Sequence, residues 1–199
     1  MKEPVTEVAL DTAAGLVTVT AECEAGKCKT VKFNNVPAFV FELDFKVQVP
    51  GVGEVSVDIA SGIIEIGARI KRAVEASYTP VHPDDPNIKG VSVLEYTQPI
   101  EIEDGVRVAV NTVVVSPGRF DRSPCGTRKC ARLAVMHARG EVSGGEVFKH
   151  RNIIGTEFMC HIRGTFMVGD YKAVLPTVQG RGWITSFKQI VLDSTDPFP

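Results

Sequence analysis

The sequence predicts an α+β fold, many short antiparallel strands with two helices. Three observations predict it. Apolar and polar residues alternate through most of the first 60 positions. The period becomes helical at only two places, Ile63 to Val74 and Ala131 to Ala138. Glycine and proline, 18 and 12 in 199 residues, punctuate the rest.

Leu16 to Thr20 alternates, and after a turn at Gly26 the stretch Thr30 to Phe33 alternates again. Phe39 to Phe45 is aromatic and β-branched, and Phe45 to Val49 leads into the turn Pro50-Gly51-Val52-Gly53. Glu54 to Ile59 sets charges against Val55, Val57 and Ile59. Ile63, Ile66, Ile70 and Val74 then form the apolar stripe of a helix capped at Ser61 and ending near Ser77. Three prolines between Pro80 and Pro86 require an extended loop. Val91 to Thr97 and Val106 to Val115 are expected as strands around a turn at Glu103-Asp104-Gly105. The second helix follows the loop 116–126, with Ala131, Ala134, Val135 and Ala138 as a slim apolar face and Gly140 as its stop. That face suits a helix held inside a ring of strands. Strands resume from Glu146 to Leu192. No internal repeat or domain boundary appears, so residues 1–199 are expected to form a single domain.

The chain is 44% hydrophobic and 23% charged, a globular composition. No apolar run approaches the roughly 20 residues of a spanning helix. A net charge of −2 gives no general attraction to nucleic acid or anionic membrane. Met1-Lys2-Glu3-Pro4 carries no apolar signal core, so a cytoplasmic address is expected.

Five cysteines, Cys23, Cys28, Cys125, Cys130 and Cys160, are an odd number in a chain able to bury its own core. That argues for a reducing compartment rather than a disulfide framework. Cys23 and Cys28 flank a hairpin turn and are candidate cross-strand neighbours. No metal centre is expected, because the matching spacing of Cys125 and Cys130 is a loose fit to zinc ligands. His82 and His150 are expected to face solvent, His137 to lie on the polar side of its helix, and His161 to be a strand residue.

The chemistry concentrates in Asp121-Arg122-Ser123-Pro124-Cys125-Gly126-Thr127 and the helix that follows. A thiol at a helix mouth meets unpaired backbone N–H groups and a partial positive charge, which favour a thiolate. The same donors bind a carboxylate, and Gly126 lets a ligand approach the backbone closely. Such a site suits proton removal from a carbon next to a carboxylate; an inert buried cysteine is the bland alternative. Arg128 and Lys129 oppose the helix dipole there, and they either reinforce the anion site or block it.

Asp121 to Thr127, with Ala131-Arg132-Leu133-Ala134 and His137 to Glu141, resembles the proline racemase family of proline racemases, hydroxyproline 2-epimerases and trans-3-hydroxyproline dehydratases. Ile153 to Phe158, Trp183-Ile184-Thr185, Asp193 to Phe198, Asn35 to Phe39, and the segments 49–51 and 57–60 match further family motifs. The resemblance implies a diaminopimelate epimerase-like half, with antiparallel strands wrapped around a central helix. It implies an isomerase without cofactor or metal, in which one cysteine from each of two halves faces opposite sides of the substrate Cα. By position Cys125 is one acid/base cysteine, Asp121 holds the ring nitrogen, and the amides around Gly126 and Thr127 hold the carboxylate. Val115 stands at the ring-facing position, leaving room for a substituted ring.

The departures are specific. The family's first cysteine lies in an N-terminal Cys-Gly-His-type motif, and Cys125-Gly126 is the only Cys-Gly pair here. The first half is therefore expected to be missing. A Gly-Gly-Asn-Phe-type strand is absent after Ala60, and Arg128-Lys129-Cys130 replaces Gly-Thr-Ser. Cys130 cannot oppose Cys125, being about 140° around and about 7.5 Å along the same helix. The expected function is epimerisation of 4-hydroxyproline or proline at Cα, impaired in so short a chain. The rivals are a catalytically silent half and a trans-3-hydroxyproline dehydratase. The expected partners are a small imino acid and a second copy of the chain, with neither nucleic acid nor membrane.

Overall fold

A computed structural model describes residues 4–12, 15–51, 53–57, 64–91, 94–115, 119–121, 123–184 and 186–189. In chain order the elements are β1 (Val5–Thr12), β2 (Gly15–Glu24), β3 (Lys27–Asn34), β4 (Phe45–Val49), β5 (Gly53–Val57), α1 (Ile64–Ser77), β6 (Glu95–Thr97), β7 (Glu101–Glu103), β8 (Val106–Val115), β9 (Arg119–Phe120), α2 (Gly126–Ala138), β10 (Val147–Asn152), β11 (Glu157–Val168) and β12 (Tyr171–Gly180). The mostly-strand α+β class is as the periodicities imply.

Ten strands make one sheet in the order β1-β2-β3-β12-β11-β10-β8-β6, with β7 and β9 also paired to β8, while β4 and β5 form a separate hairpin. Every pairing is antiparallel except β8 with β10, which is parallel. That exception follows from topology: α2 carries the chain from the end of β9 back over the sheet before β10 begins, the crossover a parallel pair needs. The hairpin between β7 and β8 turns on Asp104 (φ 50°) and Gly105 (φ 78°), the left-handed pair a two-residue hairpin favours. Pro176 lies inside the sheet on β12, opposite the register shift between Ile162 and Gly164 where a ladder bond is already lost.

The larger buried cluster joins α2 (Cys130, Leu133, Ala134, Met136) to Ala109 of β8, Phe148 of β10, Cys160 and Ile162 of β11, and Val174 and Val178 of β12, with Phe33 of β3 at its margin. A smaller one packs Ile70 and Val74 of α1 on Val47 and Val49 of β4. The Ser61 cap and Ile63 lie outside the described residues, as does the side chain of Ile66.

Four expectations are corrected. The buried face of α2 is centred on Cys130, Leu133 and Ala134, and Ala138 is exposed, so the helix packs with larger side chains than a stripe of alanines. The stretch Phe39 to Asp44 is irregular: only Ala38 bridges the sheet, at Val174, and Phe39 and Phe41 instead cluster with Tyr171. Val91 joins no strand and β6 holds Glu95–Thr97, while residues 92 and 93 lie outside the described residues. Beyond Gly180, residues 181–184 and 186–189 join no strand, and Trp183, Ile184 and Phe187 are exposed.

The helix α2 stops where the sequence places the stop. Gly140 adopts φ 73°, its N–H donates to His137 O (3.0 Å) and Glu141 N–H donates to Met136 O (2.8 Å), the two bonds that close a helix C-terminus on a left-handed residue.

Candidate active site

The strand β8 and the helix α2 position the Asp121–Thr127 segment between them. The Asp121 N–H donates to Val113 O (2.9 Å), tying the segment to β8. The Asp121 carboxylate Oδ1 accepts from the Ser123 N–H (2.9 Å) and hydroxyl (3.0 Å). The Ser123 Oγ in turn accepts from the Cys125 N–H at 3.1 Å. This relay, an Asx turn extended by one hydroxyl, fixes where the helix can begin. Cys125 is the N-cap of α2 with φ 62° and ψ 113°, a backbone region that side chains other than glycine seldom occupy. The Cys125 carbonyl accepts the first helical bond, from the Lys129 N–H at 3.3 Å.

The thiol of Cys125 is half-buried. Arg128, one turn on, curls back so that its Nη1 lies 3.0 Å from Cys125 Sγ and 3.8 Å from Asp121 Oδ2. Asp121, Cys125, Gly126 and Thr127 are thus gathered at one helix mouth, with Thr127 exposed. A Cβ on Gly126 would stand 2.5 Å from Phe33 Cζ, so the glycine makes room for that ring. The side chain of Val115 lies outside the described residues.

The two cations part company. Lys129 is fully buried (0% exposed) and its ammonium is bonded to the Glu95 carboxylate on β6. Burial pushes Glu95 above the ordinary carboxylate range and Lys129 below the ordinary amine range, and their mutual attraction only partly offsets this. Lys129 therefore sits inside the fold, and Arg128 alone reaches the thiol.

Of the other cysteines, Cys130 and Cys160 are sealed in the core. Burial pushes Cys130 up to about 11 and Cys160 well above the usual thiol range. Cys130 Sγ donates to Gly126 O (3.2 Å) and accepts from Asn35 Nδ2 (3.2 Å), so the Asn35–Phe39 motif braces the inner face of α2 from a distant part of the sequence. Cys23 and Cys28 are register partners across the β2–β3 hairpin, as their spacing implies. Among the described residues, no group of three or more His, Cys, Asp or Glu is placed to hold a metal ion.

The histidine expectations need one correction. His150 is 0% exposed, not solvent-facing, because the alternation of β10 turns it with Phe148 toward the core. Its Nδ1 lies 3.5 Å from Asn111 Nδ2 and burial holds its imidazole well below the ordinary range. His82 is half-buried beside Phe39 (ring centroids 5.5 Å). His161 is a strand residue of β11. Sequence reasoning missed Ser123, Glu95, Phe33 and His150. An acidic residue inside a strand-like run was the only signal for Glu95.

The proline racemase family model matches residues 1–63 and 60–199, and its break at 60–63 falls where the family's strand motif is absent from the sequence. The chain is 37% identical over 222 aligned positions to a 4-hydroxyproline 2-epimerase of Rhizobium etli and 36% identical to 4-hydroxyproline 2-epimerase 1 of Rhizobium rhizogenes, covering 100% and 99% of this chain. It spans 63% of the length of each of these relatives. Among solved structures it resembles a hydroxyproline epimerase from Agrobacterium vitis with bound trans-4-hydroxy-L-proline, at TM-score 0.87 and 37% identity, over 99% of this chain and 62% of that one. It also resembles a probable proline racemase from Agrobacterium radiobacter with bound carbonate, at TM-score 0.85 and 36% identity, over 99% and 64%. No helix among the described residues is long and apolar enough to cross a membrane.

Proposed function

This chain belongs to the proline racemase family, and from that premise we propose that its chemistry is cofactor-independent epimerisation at Cα of 4-hydroxyproline or proline, with Cys125 as one acid/base thiol. The observation that carries this reading is the half-buried Cys125 at the mouth of α2, its sulfur accepting from Arg128 Nη1 at 3.0 Å. That contact sets a cation and the helix N-terminus beside the sulfur, where charge developing on it would be offset.

The proposed step breaks the Cα–H bond and forms an S–H bond on Cys125, with the electron pair passing into the substrate carboxylate. Backbone N–H groups at Gly126 and Thr127 stabilise the charge that develops there. Asp121 holds the ring nitrogen. Epimerisation then needs a proton donor on the opposite face. A second copy of the chain, opposing its own Cys125, is the proposed donor, since Cys130 and Cys160 are buried and Cys23 and Cys28 face each other on a hairpin. The fold reading is a single diaminopimelate epimerase-like half with α2 as its central helix; the core contacts of α2 with β8, β10, β11 and β12 support it. The odd cysteine count supports a cytoplasmic address.

A second reading, a catalytically silent half, is favoured by the Arg128 contact, which engages the thiol internally. NMR of L-proline and both 4-hydroxyproline epimers in D2O separates the two. Deuterium at Cα supports a working base even without net epimerisation; unchanged spectra support the silent half.

A further inference from the structure

We propose that Arg128 is a resident cation standing where a substrate ammonium would sit, and that it turns the preference of this site toward carboxylates lacking an α-ammonium group. This rests on the family placement of a substrate nitrogen at Asp121 and of Cα at Cys125, and between the two readings above it takes the side of a half that does not turn over proline.

A ligand bound in that way would put its positive nitrogen between the Asp121 carboxylate and the Cys125 sulfur. Arg128 Nη1 is already there, 3.0 Å from Cys125 Sγ and 3.8 Å from Asp121 Oδ2. The placement follows from helix geometry, because residue 128 lies one turn above the N-cap and its side chain leans back over it. The guanidinium is largely enclosed, its side chain 13% exposed and that of Asp121 27%. At 3.8 Å the Asp121 contact is an attraction between charges and not a hydrogen bond, so it lacks the forked geometry of a structural arginine–carboxylate pair. Arg128 Nε is buried with no acceptor among the described residues, so the guanidinium retains a donor the protein does not satisfy. An incoming ammonium would share one carboxylate with this guanidinium and meet it at close range. A ligand with only a carboxylate meets no such repulsion and gains a nearby cation.

Isothermal titration of the full chain with L-proline and with cyclopentanecarboxylate, which keeps the five-membered ring and the carboxylate but has no ammonium, tests this. Wild type is expected to bind cyclopentanecarboxylate at least as tightly as L-proline. Arg128→Ala, and Arg128→Met with its bulk retained, are each expected to shift the ratio toward L-proline by at least about tenfold. A wild type that already prefers L-proline tenfold overturns the proposal without recourse to any variant. So does a shift in Arg128→Ala that is missing from Arg128→Met, since bulk would then be the cause, and so does failure of both variants to bind either compound. Cα exchange is not the readout, so a failure of Cys125 as a base leaves the binding ratio standing.

Discussion

The ammonium of Lys129 on α2 is bonded to the carboxylate of Glu95 on β6 in the protein interior, where Lys129 has no exposed surface and the Glu95 side chain is 9% exposed. Burial displaces both groups toward their neutral forms, so desolvation outweighs attraction and the pair is held by its mutual dependence. Lys129→Met alone is expected to destabilise the fold by about 3–5 kcal/mol, by stranding the carboxylate. The double variant Lys129→Met with Glu95→Leu is expected within about 1–2 kcal/mol of wild type. Urea unfolding of the four proteins in the cycle measures the coupling.

His150 gives the fold an acid-side weakness. Desolvation holds its imidazole well below the ordinary range, with Lys129 and Arg132 acting in the same direction. Below about pH 6.5 the unfolded chain gains a proton at this residue that the folded chain does not. Stability is therefore lost as pH falls through that window, by about 1.4 kcal/mol per pH unit, until the folded imidazole also protonates. Urea midpoints at pH 7.5 and 5.5 are expected to fall less for His150→Gln than for wild type.

Gly126 and Phe33 are a packing couple. A Cβ on residue 126 meets Phe33 Cζ at 2.5 Å, which requires the ring to move. Gly126→Ala is expected to cost about 1–3 kcal/mol as overpacking, and most of that cost is expected to vanish in a Phe33→Leu background. Thermal unfolding of the single and double variants checks it.

The N-cap backbone stores strain at Cys125. Cys125 holds φ 62° and ψ 113°, so Cys125→Gly is expected to be more stable than Cys125→Ala by about 1 kcal/mol or more. Both variants lack the sulfur, and their difference in urea midpoint isolates the backbone.

Much of this was legible in the residues. The two helices, the Gly140 stop, the β7–β8 turn and the pairing of Cys23 with Cys28 follow from local periodicity and turn chemistry, which act over a few residues. The helix mouth at Cys125 was legible for the same reason. The Glu95–Lys129 pair, the ring of Phe33 against Gly126 and the brace from Asn35 to Cys130 were not, because each joins residues that only the sheet order brings together. His150 was misassigned because a histidine with polar neighbours carries no sign of which strand face will be covered. The aromatic run at Phe39 was misassigned because packing on Tyr171 prevailed over strand propensity.

Timed alkylation of the native protein with iodoacetamide, read thiol by thiol from peptide masses, tests most directly the proposal that Cys125, rather than the equally half-buried Cys28, is the reactive thiol. Cys125 is expected to react first. Cys28, whose thiol is pushed up chiefly by desolvation, is expected to follow, with Cys130 and Cys160 protected until the protein unfolds. Modification of Cys28 while Cys125 stays intact would contradict the account.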